Sequence, residues 1–312
     1  MYQMLRRNMK ISIIMAAYNR SNVLRYAVES VLRSTIYDWE LIVIGDACTD
    51  DTETVVKSFH DPRISFYNLP ENCGEQTGPN NEGLFRAQGE YIAFLSQDDL
   101  WFPDHLQTLL HTIEANDADG AVAAGAVIIN EKQILLNGIL PEGIYSPWHG
   151  ASAVASLWLI KRTALLKING WRSAKELLIQ PSQDVLMRLW KNKYKIVGSL
   201  EITAILIHAG YDKNSYRERT DVFQRNISHD MINNPHFREK LCQTIAVGYE
   251  KERLAERMKF KFAVKKLCMI TVMKIGKWFG KTPLEVTYKL TYRKKGRFLN
   301  KLRESEGLPP LK

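Results

Sequence analysis

Residues 11–52 read ISIIMAAYNRSNVLRYAVESVLRSTIYDWELIVIGDACTDDT, and their pattern is the strongest indication of the fold. It contains two short, nearly continuous apolar runs, at 11–17 and 41–44, of the kind found in strands that are buried on both faces. Between them, apolar side chains recur at the spacing of one helix face: Leu24, Ala27, Val28, Val31 and Leu32. Ser21 or Asn22 is suited to cap this helix. The order strand, helix, strand predicts two neighbouring parallel strands.

The same alternation continues beyond residue 52. Three further apolar runs follow, at 64–67, 91–95 and 121–129. We therefore predict an α/β fold with a doubly wound, mostly parallel sheet, whose ligand binds beyond the carboxyl ends of the strands. Polar clusters follow three of the runs, at 17–20, 45–46 and 96–99. Their positions predict that the functional site lies at this edge of the sheet.

Positive charge is concentrated near the end of the chain. The net charge is +9, yet residues 250–303 alone carry 17 Lys/Arg against 4 Asp/Glu, a local charge of +13. The composition changes near Asn234 and Pro235. We predict a globular domain over 1–234, built from halves 9–130 and 131–234, and a basic helical C-terminal region over 235–312.

Cysteine spacing and hydropathy exclude several classes of protein. Four cysteines are scattered without C-x-x-C spacing, which favours neither a zinc site nor a disulfide framework: Cys48, Cys73, Cys242 and Cys268. The apolar run at 11–17 follows a basic segment but is too short for a signal peptide, and we interpret it as a strand. No run approaches the roughly 18 apolar residues of a membrane span. The sequence therefore favours a cytoplasmic protein.

Two adjacent carboxylates, Asp98 and Asp99, come directly after an apolar run in FLSQDDLWFPD (94–104). Neighbouring anions repel one another, and near a buried sheet they are costly unless a positive charge lies beside them. Carboxylate oxygens are the ligands that hard divalent cations prefer. The pair therefore predicts a metal site, although two aspartates that cap a helix before Pro103 would look the same in the sequence.

Two segments together resemble nucleotide-sugar glycosyltransferases of the GT-A fold, and specifically the large inverting family 2. Residues 11–52 resemble the family's opening pattern, in which "YN" and "ELIVVDDGSTDDT" flank a helix, and NEGLFRAQGEYIAFLSQDDLWFPDHL (81–106) resembles its "ARGEYIAFLDDDD". The resemblance covers about 9–210. It implies transfer of a sugar from a nucleoside-diphosphate donor, most simply a UDP-sugar, to a glycan or lipid-linked glycan in bacterial surface polysaccharide synthesis. The half 9–130 then binds the donor, and 131–234 binds the acceptor.

The resemblance also implies roles for individual residues of this chain. Nucleotide-binding positions are Ala17, Tyr18, Asn19, Asp46, Asn81 and Asp98. Metal ligands for Mn²⁺ or Mg²⁺ are Asp99, Asp98 and His208. Asp184, in PSQDVLMRLW, matches the general base of the family's "ED" motif. Trp148 and His149 are candidate acceptor contacts. Structural alternatives remain for several of these positions, such as packing for Tyr18 and helix capping for Asp46 or Asp184.

The chain departs from the family pattern at several positions. Ser96 and Gln97 precede the carboxylate pair where aspartates are usual, and Gln183 replaces the usual glutamate before Asp184. Asn80 stands where an arginine commonly faces the diphosphate. Asparagine carries no charge, so the neutralising cation must come from the metal or from another residue. Arg86 and Arg217 are the sequence's candidates for that role.

Alternatives remain open for the role of the basic tail and for the overall function. The tail is either a solvated appendage, a dimerisation element, or an amphipathic surface for anionic lipid at the inner face of the cell membrane, with Phe260, Phe262, Met269, Trp278 and Phe279 among its lysines. Nucleic acid is not an expected partner, because no binding module accompanies the charge. A homo-oligomer remains open. A non-catalytic binding subunit and a nucleotidyltransferase are the competing functions, and the second lacks its lysine-bearing phosphate loop.

Overall fold

The computed structural model describes residues 10–130, 133–149, 152–207, 220–257, 280–292 and 294–311. Within these ranges, nine strands form one sheet. The strands are β1 (Ile11–Ala17), β2 (Trp39–Gly45), β3 (Ile64–Asn68), β4 (Tyr91–Phe94), β5 (Leu100–Trp101), β6 (Gly120–Asn130), β7 (Gln133–Asn137), β8 (Trp158–Lys161) and β9 (Ile196–Ile207). Their order is β3-β2-β1-β4-β8-β6-β9-β5, with β7 paired to β6.

Ten α-helices connect and cover this sheet within the described ranges. They are α1 (Ser21–Leu32), α2 (Thr52–Lys57), α3 (Thr77–Arg86), α4 (His105–Ala115), α5 (Arg162–Lys167), α6 (Pro181–Lys191), α7 (Val222–Asn233), α8 (Phe237–Arg257), α9 (Pro283–Tyr292) and α10 (Arg297–Ser305). No helix of the described part of the chain is long and apolar enough to cross a membrane.

Parallel pairing dominates the first half of the sheet, as the sequence predicts. β1 pairs in parallel with both β2 and β4, and β2 pairs in parallel with β3. The second half is mixed, since β8 runs antiparallel to β4 and β6 whereas β6 and β9 are parallel. The carboxyl ends of β1, β2 and β4 therefore meet at one edge, which confirms the predicted α/β class.

Helix α1 begins differently from the sequence-based prediction. Arg20 occupies the N-cap position but makes no capping bond with its side chain, and the Asp50 carboxylate accepts from the Ser21 amide at 3.3 Å. Ser21 instead donates its hydroxyl to Asp51 across 2.5 Å. The helix starts where it was expected, but the prediction that Ser21 or Asn22 caps it is wrong, because the serine bonds a neighbouring loop.

Close packing brings α3 against the centre of the sheet. A Cβ atom on Gly83 would lie 2.4 Å from the Ile14 side chain of β1, so only glycine allows this approach. Helix α8 also packs on the sheet, because Leu241 and Ile245 are buried in a cluster that includes Leu100. The domain boundary at residue 234 stays a prediction, and apolar contacts cross it.

His105 is buried at the start of α4 and gives a testable pH dependence. Its ring stacks on Trp101 at 4.4 Å, and its Nδ1 is hydrogen-bonded to Thr203 Oγ1 at 2.8 Å. Burial lowers the pKa of His105 to about 3. The unfolded chain binds this proton near pH 6.5 and the folded chain does not, so stability is full above that pH and falls as the pH drops toward 3.

We expect the free energy of unfolding to fall by about 2 kcal/mol more in the parent than in His105→Gln between pH 7 and pH 5. Glutamine is uncharged at both values and can still bond Thr203. Urea denaturation at the two values measures the difference. Equal losses in the two proteins would show that His105 does not cause the acid sensitivity.

Candidate donor-binding site

One cleft of about 520 Å³ opens at the carboxyl ends of β1, β2 and β4. It brings together five of the site residues expected from the sequence: Ala17, Tyr18, Asp46, Asp98 and Asp99. These residues come from three separate chain segments, and the parallel register brings the ends of those strands together. The cleft also extends along the first turn of α6 and to the C-terminal helix α10.

Asp46 lies at the end of β2, where it is 5% exposed. Its two carboxylate oxygens accept hydrogen bonds from the backbone amides of Cys73 at 2.7 Å and Gly74 at 3.0 Å. Burial raises the pKa of Asp46, while the two amide donors and the nearby Arg303 charge oppose that rise. The carboxylate is thus held in one orientation at the cleft wall.

Tyr18 and Asn19 follow β1 and have different surroundings. The Tyr18 amide donates to Gln97 Oε1 at 2.9 Å, which ties the end of β1 to the segment after β4. Asn19 adopts a positive φ of 47° and accepts a hydrogen bond from the Thr49 amide at 2.8 Å. Tyr18 lines the cleft, whereas Asn19 is engaged with the neighbouring loop and does not.

Asp98 and Asp99 lie side by side in the cleft and have different partners. Asp98 pairs with Arg20 Nη1 at 3.2 Å and accepts from the Ser96 hydroxyl at 2.7 Å. Asp99 accepts from the Ser156 hydroxyl at 2.5 Å and from the Ile207 amide at 3.0 Å. The less exposed of the two is Asp99. It is therefore the carboxylate whose ionisation is more costly.

The two carboxylates fit a divalent cation by their chemistry. Burial, together with the negative charge of Asp98, raises the pKa of Asp99 well above its usual range. A cation would favour the ionised form and offset this cost. Among the described residues, no group of three or more His, Cys, Asp or Glu side chains is clustered as a complete metal site. His208, the third expected ligand, lies outside the described residues.

Helix α3 presents Asn80 to the cleft, and Asn81 faces elsewhere. Asn81 accepts from the Trp171 amide at 2.8 Å and donates to its carbonyl at 3.0 Å, which ties α3 to the loop before α6. Arg86 pairs with Glu82 at 2.6 Å and lies outside the cleft. The candidate diphosphate cation is thus not Arg86, while Arg217 lies outside the described residues.

Asp184 lies in the first turn of α6, directly after the part of the helix that borders the cleft. Gln180, Pro181 and Ser182 line the cleft, whereas Asp184 does not. Its carboxylate, in a residue only 4% exposed, accepts from Arg188 Nε at 2.7 Å. Arg188 also donates to two backbone carbonyls of the preceding loop. The predicted base is therefore close to the cleft wall and is held by an ion pair.

Trp148 and His149 lie in a short 3-10 turn, Pro147–His149. Trp148 is half-buried and does not line the cleft. The His149 side chain lies outside the described part of the structure. Their predicted contact with an acceptor stays a prediction.

Sequence reasoning missed three contributors to the site. Arg20 pairs with Asp98, Ser156 bonds Asp99, and the C-terminal helix α10 forms a wall of the cleft. Arg20 follows the "YN" pattern directly and could have been found from that position. Ser156 and α10 carry no local signal, because only tertiary packing brings them to the strand ends.

A family model matches the part of the chain that carries these strand ends. Residues 12–145 match the family described as Glycosyl transferase family 2. The Escherichia coli protein named UDP-Glc:alpha-D-GlcNAc-diphosphoundecaprenol beta-1,3-glucosyltransferase WfgD is 32% identical over 134 residues, which are 43% of this chain and 52% of that protein. The matched part of the chain spans between about a sixth and a half of the length of the curated relatives it matches.

Solved structures agree on the fold. Residues 1–349 of Staphylococcus aureus TarS, in complex with UDP-GlcNAc, superpose with a TM-score of 0.56 at 17% identity over 76% of this chain and 71% of that one. The mannosyltransferase PcManGT of Pyrobaculum calidifontis, in complex with GDP-Man and Mn²⁺, gives a TM-score of 0.53 at 12% identity over 92% of this chain and 88% of that one. The chain thus has a GT-A fold, and its residues 12–145 match the family described as Glycosyl transferase family 2.

Proposed function

We propose that this protein is an inverting, metal-dependent glycosyltransferase that moves a sugar from a nucleoside-diphosphate donor to a glycan or lipid-linked glycan. One observation carries the proposal. Asp46 and the Asp98–Asp99 pair, which follow different strands of the family 2 domain, converge on one cleft of about 520 Å³. A cleft of this size suits a nucleotide sugar, and carboxylates at both ends suit its base and its metal-bound diphosphate.

Asp46 serves the nucleotide end in this proposal. Its fixed carboxylate can accept a hydrogen bond from a ring N–H of the base, and Tyr18 can cover one face of that base. A uracil base has such an N–H. This supports UDP as the first nucleotide to test, as do the UDP-glucose and UDP-GlcNAc in the names of two similar proteins.

Replacing Asp46 by asparagine is expected to weaken UDP binding about tenfold, because one acceptor oxygen becomes an NH₂ donor that opposes the base N–H. Asp117→Asn is a matched control, since Asp117 is exposed, distant in sequence and already in a left-handed conformation that asparagine tolerates. Calorimetric titration measures both Kd values. Unchanged UDP affinity in Asp46→Asn would remove Asp46 from the nucleotide site.

Asp98 and Asp99 serve the leaving-group end. The two carboxylates would hold a divalent cation, which would supply positive charge for the leaving diphosphate. The Arg20 side chain, paired with Asp98, limits the repulsion between the two carboxylates. Mn²⁺ or Mg²⁺ fits this oxygen donor set, and Mn²⁺ is the metal in the PcManGT complex.

Asp184 is proposed as the general base. It would accept the proton of the acceptor hydroxyl while the acceptor oxygen bonds the anomeric carbon and the electrons of the breaking bond leave with the diphosphate. Attack from the face opposite the diphosphate inverts the anomeric carbon. Asp184 is in the first turn of α6, two residues after Ser182, which lines the cleft, and this proximity supports the role.

A non-catalytic binding subunit is the second candidate function. The Asp184–Arg188 ion pair favours it, because a carboxylate held by an arginine can be purely structural. The departures at Gln97 and Gln183 agree with that possibility. Retention of Asp46, Asp98 and Asp99 in the cleft argues against it, since a binding module without catalysis does not need to hold adjacent buried anions.

The direct test of function is release of the nucleoside diphosphate from UDP-glucose and UDP-GlcNAc with Mn²⁺, in the presence of a GlcNAc-diphospholipid acceptor. That acceptor is chosen because of the name of the Escherichia coli relative. Product release that requires the acceptor supports the transferase. A protein that binds UDP with Mn²⁺ but shows no turnover with these donors or with GDP-mannose would favour the binding subunit.

Attachment to an anionic membrane surface, with a cytoplasmic location, completes the proposal. The local charge of +13 over 250–303 supports it, since basic segments gain free energy near anionic lipid. The aromatic residues proposed to insert, from Phe260 to Phe279, lie outside the described residues. Co-sedimentation with anionic and neutral vesicles tests it, and equal recovery with both would contradict it.

A further inference from the structure

The C-terminal helix α10 forms one wall of the donor cleft. Six residues of this helix and the turn after it line the cleft: Phe298, Leu299, Leu302, Arg303, Glu306 and Leu308. The strand ends line the same cleft, with Tyr18, Asp46 and Asp98. The basic C-terminal region is thus part of the site and is more than an appendage to it.

Several contacts fix this wall to the rest of the protein. The Gly296 amide, at the start of α10, donates to the Leu177 carbonyl at 3.0 Å. Before α9, the Thr282 hydroxyl lies 3.8 Å from Met187 Sδ of α6. The start of α10 is therefore bonded to the segment before α6, and the segment before α9 contacts α6 itself.

Helix α10 contributes Arg303 to the cleft, and no other Lys or Arg of the described residues lines it. Its guanidinium donates to the Gly74 carbonyl, next to the amide that binds Asp46, and to the Pro309 carbonyl at 2.7 Å. No carboxylate of the described residues forms a close ion pair with it. Its charge is therefore available to an anionic ligand.

The side chains that line the cleft carry more negative than positive charge, so an anionic ligand needs a cation there. Five carboxylates line it: Asp46, Glu75, Asp98, Asp99 and Glu306. A nucleoside diphosphate adds further negative charge, and one divalent cation cannot neutralise all of it. The family's usual arginine is absent, since Asn80 stands in its place. A fixed guanidinium is the side chain best suited to phosphate oxygens.

Electrostatic contacts order these groups along the cleft. The Arg303 charge acts on Asp46 at one end, and it also acts on Glu306, which in turn is close to Asp98 and Arg20. Burial and Asp98 raise the pKa of Glu306 to about 7, which reflects the negative field at that end. Arg303 is thus bonded beside the Asp46 end of the cleft, and Glu306, three residues further along the chain, lines the same cleft as Asp98. A donor whose base lies at Asp46 would extend its phosphates past this guanidinium.

We propose that Arg303 is a donor-binding residue, and that the C-terminal helix supplies the diphosphate cation that the position of Asn80 lacks. This inference rests on the proposed function, because it names a contact within the same donor site. It assigns α10 to donor recognition. It also predicts that the residue acts on phosphate and not on the nucleoside.

The test is calorimetric titration of the full-length protein with UDP and with uridine, both with Mn²⁺. The variants are Arg303→Ala, Arg303→Lys and the control Lys301→Ala, which removes an exposed charge from the same helix. We expect Arg303→Ala to weaken UDP binding about tenfold or more, with uridine binding unchanged. Arg303→Lys should recover part of the UDP affinity, whereas Lys301→Ala should bind as the parent does.

The outcomes separate this inference from the proposed function. Equal UDP affinity in the parent and in Arg303→Ala would overturn the inference and leave the proposed function intact. Tighter UDP binding in Arg303→Ala also overturns it, because the helix would then be an inhibitory cover. Equal losses of UDP and uridine in both the alanine and lysine variants would assign Arg303 a structural role. No nucleotide binding by the parent would overturn the function and the inference together.

Discussion

Replacing Asp99 with asparagine is expected to lower kcat/KM by about 100- to 1000-fold and to raise stability at the same time. The loss of activity follows from removing a metal-binding charge. The gain in stability follows from burial, which raises the pKa of Asp99. As the pH rises above about 4, the unfolded chain releases this proton more readily than the folded protein, so Asp99 lowers the free energy of unfolding. The neutral asparagine avoids that cost.

Thermal denaturation with and without Mn²⁺ measures the second effect. In the metal-free state the variant should melt at a higher temperature than the parent at pH 8, and adding Mn²⁺ to UDP should increase the stabilisation by UDP in the parent alone. Asparagine can still accept from the Ile207 amide, and the Ser156 hydroxyl can rotate to accept from its NH₂ group. A variant that retains metal-dependent turnover would exclude Asp99 as a ligand.

Replacing Asp184 with asparagine is expected to lower kcat by about 100-fold or more while the Kd for UDP changes little, because a general base acts on the acceptor and not on the nucleotide. The ion pair with Arg188 complicates this variant. Removing one partner leaves a buried, uncompensated guanidinium, which costs about 3–5 kcal/mol of stability.

The double variant Asp184→Asn with Arg188→Gln separates chemistry from structure. It removes both charges, so it should recover much of the stability that Asp184→Asn loses. If Asp184 is the base, the double variant stays inactive although it is folded and binds UDP. If Asp184 only pairs with Arg188, activity returns together with stability, and the assignment fails.

The location of the site could be predicted because it depends on local pattern. Continuous apolar runs such as 11–17 and 41–44 indicate buried parallel strands, and parallel strands end at one edge. The polar residues that directly follow them, Asp46 and Asp98, must then converge. Neither step needs knowledge of distant contacts, and the structure confirms both the fold class and the convergence.

The rest of the site could not be predicted, since it depends on tertiary packing. On α3, the choice between Asn80 and Asn81 is a difference of about 100° around the helix, and the bonds of Asn81 to Trp171 decide it. Asp46 and Arg303 line the same cleft because α10 packs there, although the two residues are far apart in sequence. The basic composition of the C-terminal region suggested a lipid-facing tail and gave no sign of a contact with the donor cleft.

The most direct test of the account is calorimetric titration of the parent with UDP, GDP, dTDP and CDP, each with and without Mn²⁺ or Mg²⁺, followed by the same titrations of Asp99→Asn. We expect that UDP binds, that its affinity rises with the divalent cation, and that Asp99→Asn loses the metal-dependent part. Failure of all four nucleotides to bind with either metal would contradict a donor site at the ends of β1, β2 and β4.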